Sequence, residues 1–271
     1  MYKKDDLGTR MKTFYETVPK TKLMRRVPVA IRIDGKSFHT FTKKFQKPFD
    51  EVLLTSMQDT MKYLCENIQG CVLGYTQSDE ITLILVDYKK LTSDSWFDYE
   101  IQKMCSVSAS MATMAFNKCF KANVDDEIFI YKTSFTPQDM ELQTRMNMYH
   151  KALLESVNKG AMFDSRCFNI PKEEVTNLIY WRQLDATRNS IQMVGQANFS
   201  HNELHNKSCN DIQDMLMIQK GINWNGIPTY EKRGSCCVKN TESGWYIDKD
   251  IPIFKGEGRE YIEKLINFEE G

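Results

Sequence analysis

The chain lacks net charge: 36 Lys and Arg face 36 Asp and Glu across 271 residues. That balance excludes a polybasic protein held to nucleic acid by charge alone, but leaves room for segregated basic and acidic surfaces. No apolar run approaches the ~18 residues that a membrane span needs. The opening MYKKDDLGTRMKTFYE has no apolar signal core, and Asp5, Asp6 and Glu16 make it acidic for a presequence. The expectation is a cytoplasmic protein, with a mitochondrial address left open. There is no C-x-x-C spacing, so the eight cysteines read as reduced thiols rather than four disulfides. Cys65, Cys105 and Cys119 read as small core residues. No repeat, low-complexity tract or linker interrupts the chain. GxxxxGK[ST], GxGxxG and HExxH are all absent. A nucleotide bound here would therefore be held by metal and lysines.

What is present is ample for a core: 41% hydrophobic residues, with 15 Phe, 12 Tyr and 4 Trp, which excludes disorder. Residues 27–33 form a β-branched run that predicts a buried strand ending in Asp34-Gly35. Val52, Leu53, Met57, Met61 and Leu64 repeat at helical spacing behind Asp50, a candidate N-cap. Residues 71–75 and 81–86 predict a strand pair around a polar turn, 76–80. Residues 101–120 predict a helix with Met104, Val107, Ser108, Met111 and Ala115 on one face. Residues 128–135 and 167–170 are further strand candidates. The order β-α-β-β-α-β predicts an α+β, ferredoxin-like sheet with two helices on one face. From residue 172 the pattern turns mostly helical: 172–193, a polar loop over 198–207, then 211–219; residues 222–239 predict turns and a strand, with Cys236-Cys237 a strand-like pair. One catalytic unit over 1–271 is expected, with a core over 23–170 and a helical C-terminal extension over 171–271.

Asp34 ends the first strand and Asp79 lies in the turn of the following hairpin. In a β-α-β-β unit these strands are neighbours, so both carboxylates project from one end of the sheet. Close carboxylates raise each other's pKa unless a cation sits between them. Magnesium suits such a pair, with triphosphate oxygens and water completing its octahedron. Two metals about 3.5–4 Å apart would serve in-line phosphoryl transfer. Gly35 has no Cβ to shield its carbonyl from a metal. Asp-Gly and Ser-Asp-Glu are also ordinary turn sequences, so a metal site and plain turns both stand at this point. Glu80, by alternation, points to the other face and reads as structural. Lys36, Lys47 and Lys103 are candidates to hold phosphates, each otherwise a solvated lysine.

Four stretches then occur in order: Arg32-Ile-Asp-Gly-Lys-Ser-Phe-His39, Lys47-Pro48, Gly74-Tyr-Thr-Gln-Ser-Asp-Glu80 and Trp181-Arg-Gln-Leu-Asp185. Together they resemble the tRNA(His) guanylyltransferase superfamily, the reverse (3′–5′) polymerases, from about Leu23 to Lys239. The resemblance implies a core like the polymerase palm. It implies two magnesium ions on Asp34, Asp79 and the Gly35 carbonyl, with ATP and GTP or other nucleoside triphosphates as substrates. It places Ser78 and Lys47 where the RNA 5′ end is activated, and His39 where a base is stacked or positioned. Arg32, Lys36, Ser37, Phe38, Asn189 and Asn225 complete the implied nucleotide and 5′-end contacts. Of a basic pair expected after Trp96-Phe97 only Lys103 is retained, Glu100 standing nearby.

After Asp185 the superfamily's tRNA(His)-specific branch carries His-Ile-Asn-Asn. Here the chain reads Ala186-Thr-Arg-Asn-Ser-Ile191, keeping Asn189 and placing Thr187 where the histidine would stand. This implies the guanylyltransferase-like branch, whose members resemble template-dependent repair enzymes for 5′-truncated tRNA. Addition of a guanosine to tRNA(His) is the narrower alternative, and a palm-type nucleotide cyclase and a non-catalytic RNA-binding protein are the others. Candidate RNA contacts are Lys20, Lys22, Arg25, Arg26, His201, Lys207, Lys232 and Arg233. His201 and His205 have zinc-pair spacing but no third ligand nearby, so RNA or structural contact is the expectation. Segments Asn223–Asn225 and Lys232–Gly234 match a late motif near the nucleotide or a subunit interface. The family also forms tetramers, dimers of dimers that share a tRNA. Residues 1–48 hold 13 basic against four acidic residues, and residues 49–100 hold three against ten. That asymmetry reads as a basic approach beside an acidic metal pocket.

Overall fold

β1 (Val29–Gly35) buries Val29, Ala30, Ile31 and Ile33 and is partly exposed at Arg32 and at its last two residues, Asp34 and Gly35. β2 (Cys71–Gln77) and β3 (Glu80–Leu85) are buried along their whole length, as strands covered on both faces must be. Their hairpin closes over Ser78 and Asp79 alone, with Ser78 in the left-handed region (φ 51°). The computed structural model describes residues 7–134, 140–242 and 244–268. With β4 (Phe163–Asn169), β5 (Ser235–Asn240) and β6 (Gly244–Asp248), the strands form one sheet in the order β4-β1-β3-β2-β5-β6. Every pairing is antiparallel. The first four strands stand in the ferredoxin-like order that the sequence predicts.

The helices are, in chain order, α1 (Leu7–Met11), α2 (Phe38–Phe41), α3 (Glu51–Asn67), α4 (Ile101–Ser134), α5 (Met140–Lys159), α6 (Lys172–Asn198), α7 (His201–Leu204), α8 (Cys209–Lys220), α9 (Thr229–Arg233) and α10 (Glu260–Ile266). α3 and α4 cover one face of the sheet. Met57, Met61 and Leu64 meet Met104, Ala112, Phe116 and Phe120 in one core with Ile31, Ile33 and Leu83. Asp50 caps α3 by accepting from Leu53 N at 2.9 Å. α3 lies so close to β2 that a Cβ on Gly74 would stand 2.5 Å from Cys65 Sγ. α6 and α10 cover the opposite face, packing Val175, Ile179, Ile262 and Ile266 on Leu73, Tyr75 and Ile84.

Three expectations change. Residues 128–134, read as a strand for their β-branched and aromatic content, continue α4. The reason is tertiary: Tyr131 meets His150 of α5 edge to face, with centroids 4.8 Å apart, so a neighbouring helix overrides β propensity. Phe135, the end of that expected strand, lies outside the described residues. The strand expected within 222–239 is β5, but it joins the central sheet by pairing with β2 and carries β6, which was not expected, as a new sheet edge. All eight cysteines are free, as expected, but Cys105 and Cys119 are only half-buried while Cys65 is in the core.

Candidate active site

β1 delivers Asp34 and the β2–β3 hairpin delivers Asp79 to the same end of the sheet. Gly35 N donates to Asp79 O at 3.0 Å, tying the two backbones together. Asp34 stands in register with Glu80 on one side and Asp164 on the other. Directly opposed residues of antiparallel strands share a face, so Glu80 lies on the face of Asp34, not the opposite one. It is structural for a different reason from the one expected: both of its oxygens are taken. Oε2 accepts from Arg32 and Oε1 from Arg182 Nε, each at 2.7 Å, and Arg182 also pairs with Asp185 at 2.9 Å. Both guanidinium groups lie against the Trp181 ring, at 5.3 Å and 4.5 Å.

Asp34 is left without a hydrogen bond or ion pair among the described residues. Burial raises its pKa, Glu80 and Asp164 add to the rise, and Arg166 and Arg32 oppose it. The pKa of Asp79 is raised as well, first by burial, with Asp34 and Glu80 adding. The Ser78 hydroxyl, donating to Asp79 Oδ1 at 3.0 Å, holds that rise back. Among the described residues no three His, Cys, Asp or Glu side chains gather to hold a metal by themselves. An unspent Asp34 carboxylate, a destabilised Asp79 charge and a glycine carbonyl nonetheless fit magnesium, which takes one or two carboxylates and shares the rest with phosphate and water.

Beside the carboxylates opens a cleft of about 390 Å³. Gly35, Ser37, His39, Lys47, Ser78 and Asp79 all line it, so these predicted residues are brought together. Phe38 also borders it but is 4% exposed. Its ring packs on Phe41, Phe116 and Phe163 at 5.1–5.5 Å, so it anchors the loop from the core rather than presenting itself to a nucleotide. A Cβ on Gly35 would fall 2.3 Å from that ring, which is why a glycine ends β1. A smaller apolar cavity adjoins, lined by Asn189 together with Ser78 and Asp50. Met193 borders both spaces, and Asp50, recognised as a cap, also accepts from Gln46 N at 3.0 Å and the Tyr149 hydroxyl at 2.9 Å. Arg182 lines neither space; its motif is conspicuous, but only the fold shows the Glu80 it neutralises.

Other candidates fall elsewhere. Lys36 is exposed outside the cleft, its backbone N donating to Met162 O at 2.8 Å. Lys103 lies over the Phe97 ring at 4.9 Å and does not line the cleft. Asn225 does not line it either, and its carbonyl accepts from Lys232 Nζ at 2.6 Å. Lys232 is therefore corrected as an RNA contact: it is 6% exposed, and desolvation lowers its pKa. Arg25 and Arg26 remain exposed, and both are engaged within the protein. Arg25 Nε donates to Asp87 at 3.1 Å and the Arg26 backbone N to the same carboxylate at 2.9 Å. Lys22 pairs with Asp98, and Lys20 with Glu16 at 4.0 Å. The Arg233 carbonyl accepts from the Tyr75 hydroxyl at 2.6 Å. His201 and Lys207 are exposed on a separate groove beside α6 and α7.

With this geometry in hand, comparison with known proteins is specific. The family model described as tRNAHis guanylyltransferase (Thg1) matches residues 8–171. The tRNA(His) guanylyltransferase of Saccharomyces cerevisiae is 26% identical over 228 residues, covering 79% of this chain and 83% of the yeast protein. A bacterial tRNA(His) guanylyltransferase (Thg1)-like protein solved in complex with ATP superposes with a TM-score of 0.79 at 41% identity, covering 97% of this chain and 99% of that one. A second such bacterial structure, in complex with GTP, gives a TM-score of 0.75 at 38% identity, covering 97% and 100%. The chain belongs to the tRNA(His) guanylyltransferase family and is a nucleotidyltransferase.

Proposed function

We propose that this enzyme adds nucleotides in the 3′–5′ direction to the 5′ end of truncated tRNA, choosing each by pairing with the opposite strand. The observation that carries the reading is the gathering of Asp79, Gly35, Lys47, Ser78 and His39 at one cleft, with Asp34 next to Gly35 at the end of β1 beside it. In the first transfer a 5′-phosphate oxygen of the RNA attacks the α-phosphorus of ATP, and pyrophosphate leaves. In the second the 3′-hydroxyl of the incoming triphosphate loses its proton and attacks the activated 5′-phosphate, and AMP leaves. Two magnesium ions on Asp34, Asp79 and the Gly35 carbonyl would polarise the phosphorus and lower the hydroxyl pKa. Lys47 supplies positive charge along the cleft, Ser78 a hydroxyl beside Asp79, and His39 a ring at the rim for a base. Glu80, neutralised by Arg32 and Arg182, fixes the register that sets Asp34 opposite the hairpin.

The repair reading rests on α6. Thr187 stands where tRNA(His)-specific relatives carry histidine, and its hydroxyl donates to Gln183 O at 2.9 Å within its own helix. No imidazole is offered there. A homotetramer in the cytoplasm completes the proposal. Its support is eight free thiols and an N-terminal segment whose Leu7, Phe14, Tyr15 and Val18 are 58–72% exposed. No described helix is long and apolar enough to cross a membrane.

The test supplies 5′-truncated tRNA, labelled nucleoside triphosphates and magnesium. Template-matched extension at the 5′ end is the expected result. A guanosine added opposite a non-pairing base on tRNA(His) would move the enzyme to the narrower branch. Cyclic product without RNA, or binding without turnover, would overturn the proposal.

A further inference from the structure

α6 faces two spaces. Asn189 and Met193 line the cavities beside Ser78. Gln192 and Gln196, about 60° round the helix from that pair, line a separate groove of about 480 Å³. From Asn189 to Gln196 the helix rises about 10 Å, so the groove is one short step from the reactive cleft.

The opposite wall is the α7 turn, carrying His201, His205, Asn206 and Lys207. The two imidazole rings stand 6.2 Å apart and 31° from parallel. Phe199 closes the base of the groove at 8% exposure, with Lys220 Nζ 5.3 Å from its ring centroid. Among the described residues no carboxylate lines the space. The nearest acids are turned away into helix caps: Glu203 accepts from Ser200 N at 2.8 Å and Asp211 from Ser208 N at 2.8 Å. Both are capping boxes, so the α7 turn is held at each end.

The polar groups here are unspent, and that separates this stretch from the rest of α6. Arg182, Gln183, Asp185, Thr187, Asn189 and Asn198 all use their side chains on bonds within the protein. Gln192, Gln196 and Asn206 make no side-chain hydrogen bond among the described residues. The groove thus offers amide donors and acceptors, two imidazole faces and a lysine, and excludes anionic side chains. That is the chemistry that recognises an unpaired nucleotide: rings to stack on, amides for base edges, a cation for phosphate.

We propose that this groove seats an unpaired stretch of the RNA substrate, the strand that continues past the 5′ end being extended. The inference rests on the RNA reading given above and adds a second contact to it. Single-stranded RNA is favoured over a free nucleotide because only one lysine, Lys207, stands among the lining residues, too little charge for a triphosphate.

The experiment compares two labelled RNA hairpins by fluorescence anisotropy at fixed salt, one blunt and one with a four-nucleotide 3′ extension. The full-length wild type is set beside the Gln192→Ala/Gln196→Ala double variant and, separately, His205→Ala. The wild type should bind the extended RNA about tenfold more tightly, the order expected when bases stack and hydrogen-bond. Both variants should bind the two RNAs alike, near the wild-type affinity for the blunt one, with ATP affinity unchanged as the check on folding. A wild type indifferent to the extension, or variants that keep the preference, would overturn the groove assignment while leaving the RNA reading intact. Weakened ATP binding in folded variants would overturn it in favour of a nucleotide subsite. A wild type that binds neither RNA would overturn the RNA reading itself, and the groove with it.

Discussion

Glu80→Gln tests whether the acidic end of the sheet is divided as the geometry implies, with Asp34 and Asp79 free and Glu80 committed. The Glu80 carboxylate is 7% exposed and the Arg182 side chain 9%. Each Glu80 oxygen accepts one charge-assisted bond of 2.7 Å. The amide keeps the shape but presents an NH2 to a guanidinium and leaves Arg182 paired with Asp185 alone. Removing one partner of a buried ion pair costs about 3–5 kcal/mol. Glutamine retains one acceptor, which sets the expectation at the lower end, about 3 kcal/mol. In a domain of this size each kcal/mol moves Tm by about 2–3 °C, so the melt should fall by about 6–9 °C. The assay is thermal unfolding in chelator, followed by nucleotide addition at a temperature where the variant is fully folded. Pairing Glu80→Leu with Arg182→Met should recover part of the lost stability, since both charges then leave together. An unchanged melt with a raised magnesium requirement would refute the reasoning and make Glu80 a metal ligand.

Asp34→Asn and Asp79→Asn should each abolish both transfers, read as loss of adenylylated and extended RNA. Both carboxyls have folded pKa values raised above the ordinary 3.8. A raised carboxyl destabilises the native state fully above its folded pKa, and that penalty fades as pH falls through the folded value towards 3.8. In chelator the wild type should therefore gain Tm over that acidic window relative to either Asn variant, and a parallel profile would contradict it. Asp50→Ala removes the acceptor shared by Leu53 N, Gln46 N and the Tyr149 hydroxyl, one N-cap and two further bonds to a buried carboxylate. The expected cost is about 3–4 kcal/mol, measured as a shift of the urea midpoint. For RNA binding, Lys47→Ala should lower the slope of log K against log salt by about one, whereas Arg25→Ala should leave it unchanged.

The central sheet was legible because its signals are local. A β-branched run into Asp-Gly, a helical Met repeat behind an Asp cap and a polar hairpin turn each specify one element. Their order then restricts the sheet to few arrangements. The carboxylate pair was legible for the same reason, since neighbouring strands bring Asp34 and Asp79 together whatever the side chains do. The extent of α4 was hidden because residues 128–134 look like a strand until α5 is placed against them. A strand around Cys236 was legible, but its place in the sheet was hidden because its partner, β2, lies about 160 residues earlier in the chain. Glu80 was judged by alternation from Asp79, but Asp79 is a turn residue with no strand phase to inherit; the phase comes from Asp34 across the ladder. Lys232 was misjudged because a lysine beside an arginine and a glycine looks solvated, and only Trp224 and the Asn225 carbonyl reveal it as buried.

The charge asymmetry takes a different meaning once the chain is folded. The basic segment at 20–26 and the acidic stretch at 87–100 are not two surfaces facing a ligand; they face each other. Arg25 and Arg26 converge on Asp87, whose side chain is 1% exposed, and Arg26 also reaches the Asp87 and Lys90 carbonyls. Lys22 pairs with Asp98 and its backbone bridges to Glu100. Three of the 13 basic residues of 1–48 are thus spent on clasping the N-terminal segment to the loop ahead of α4. Among the described residues the lysine lining the cleft is Lys47, with Lys36 exposed beyond it, while Asp79 in the cleft and Asp34 beside it make no ion pair. Such a site repels a bare polyphosphate and accepts one that arrives with its own divalent cations. Salt dependence should therefore be modest for RNA, and magnesium dependence steep for nucleotide, which is the division expected of an enzyme whose metals travel with the triphosphate.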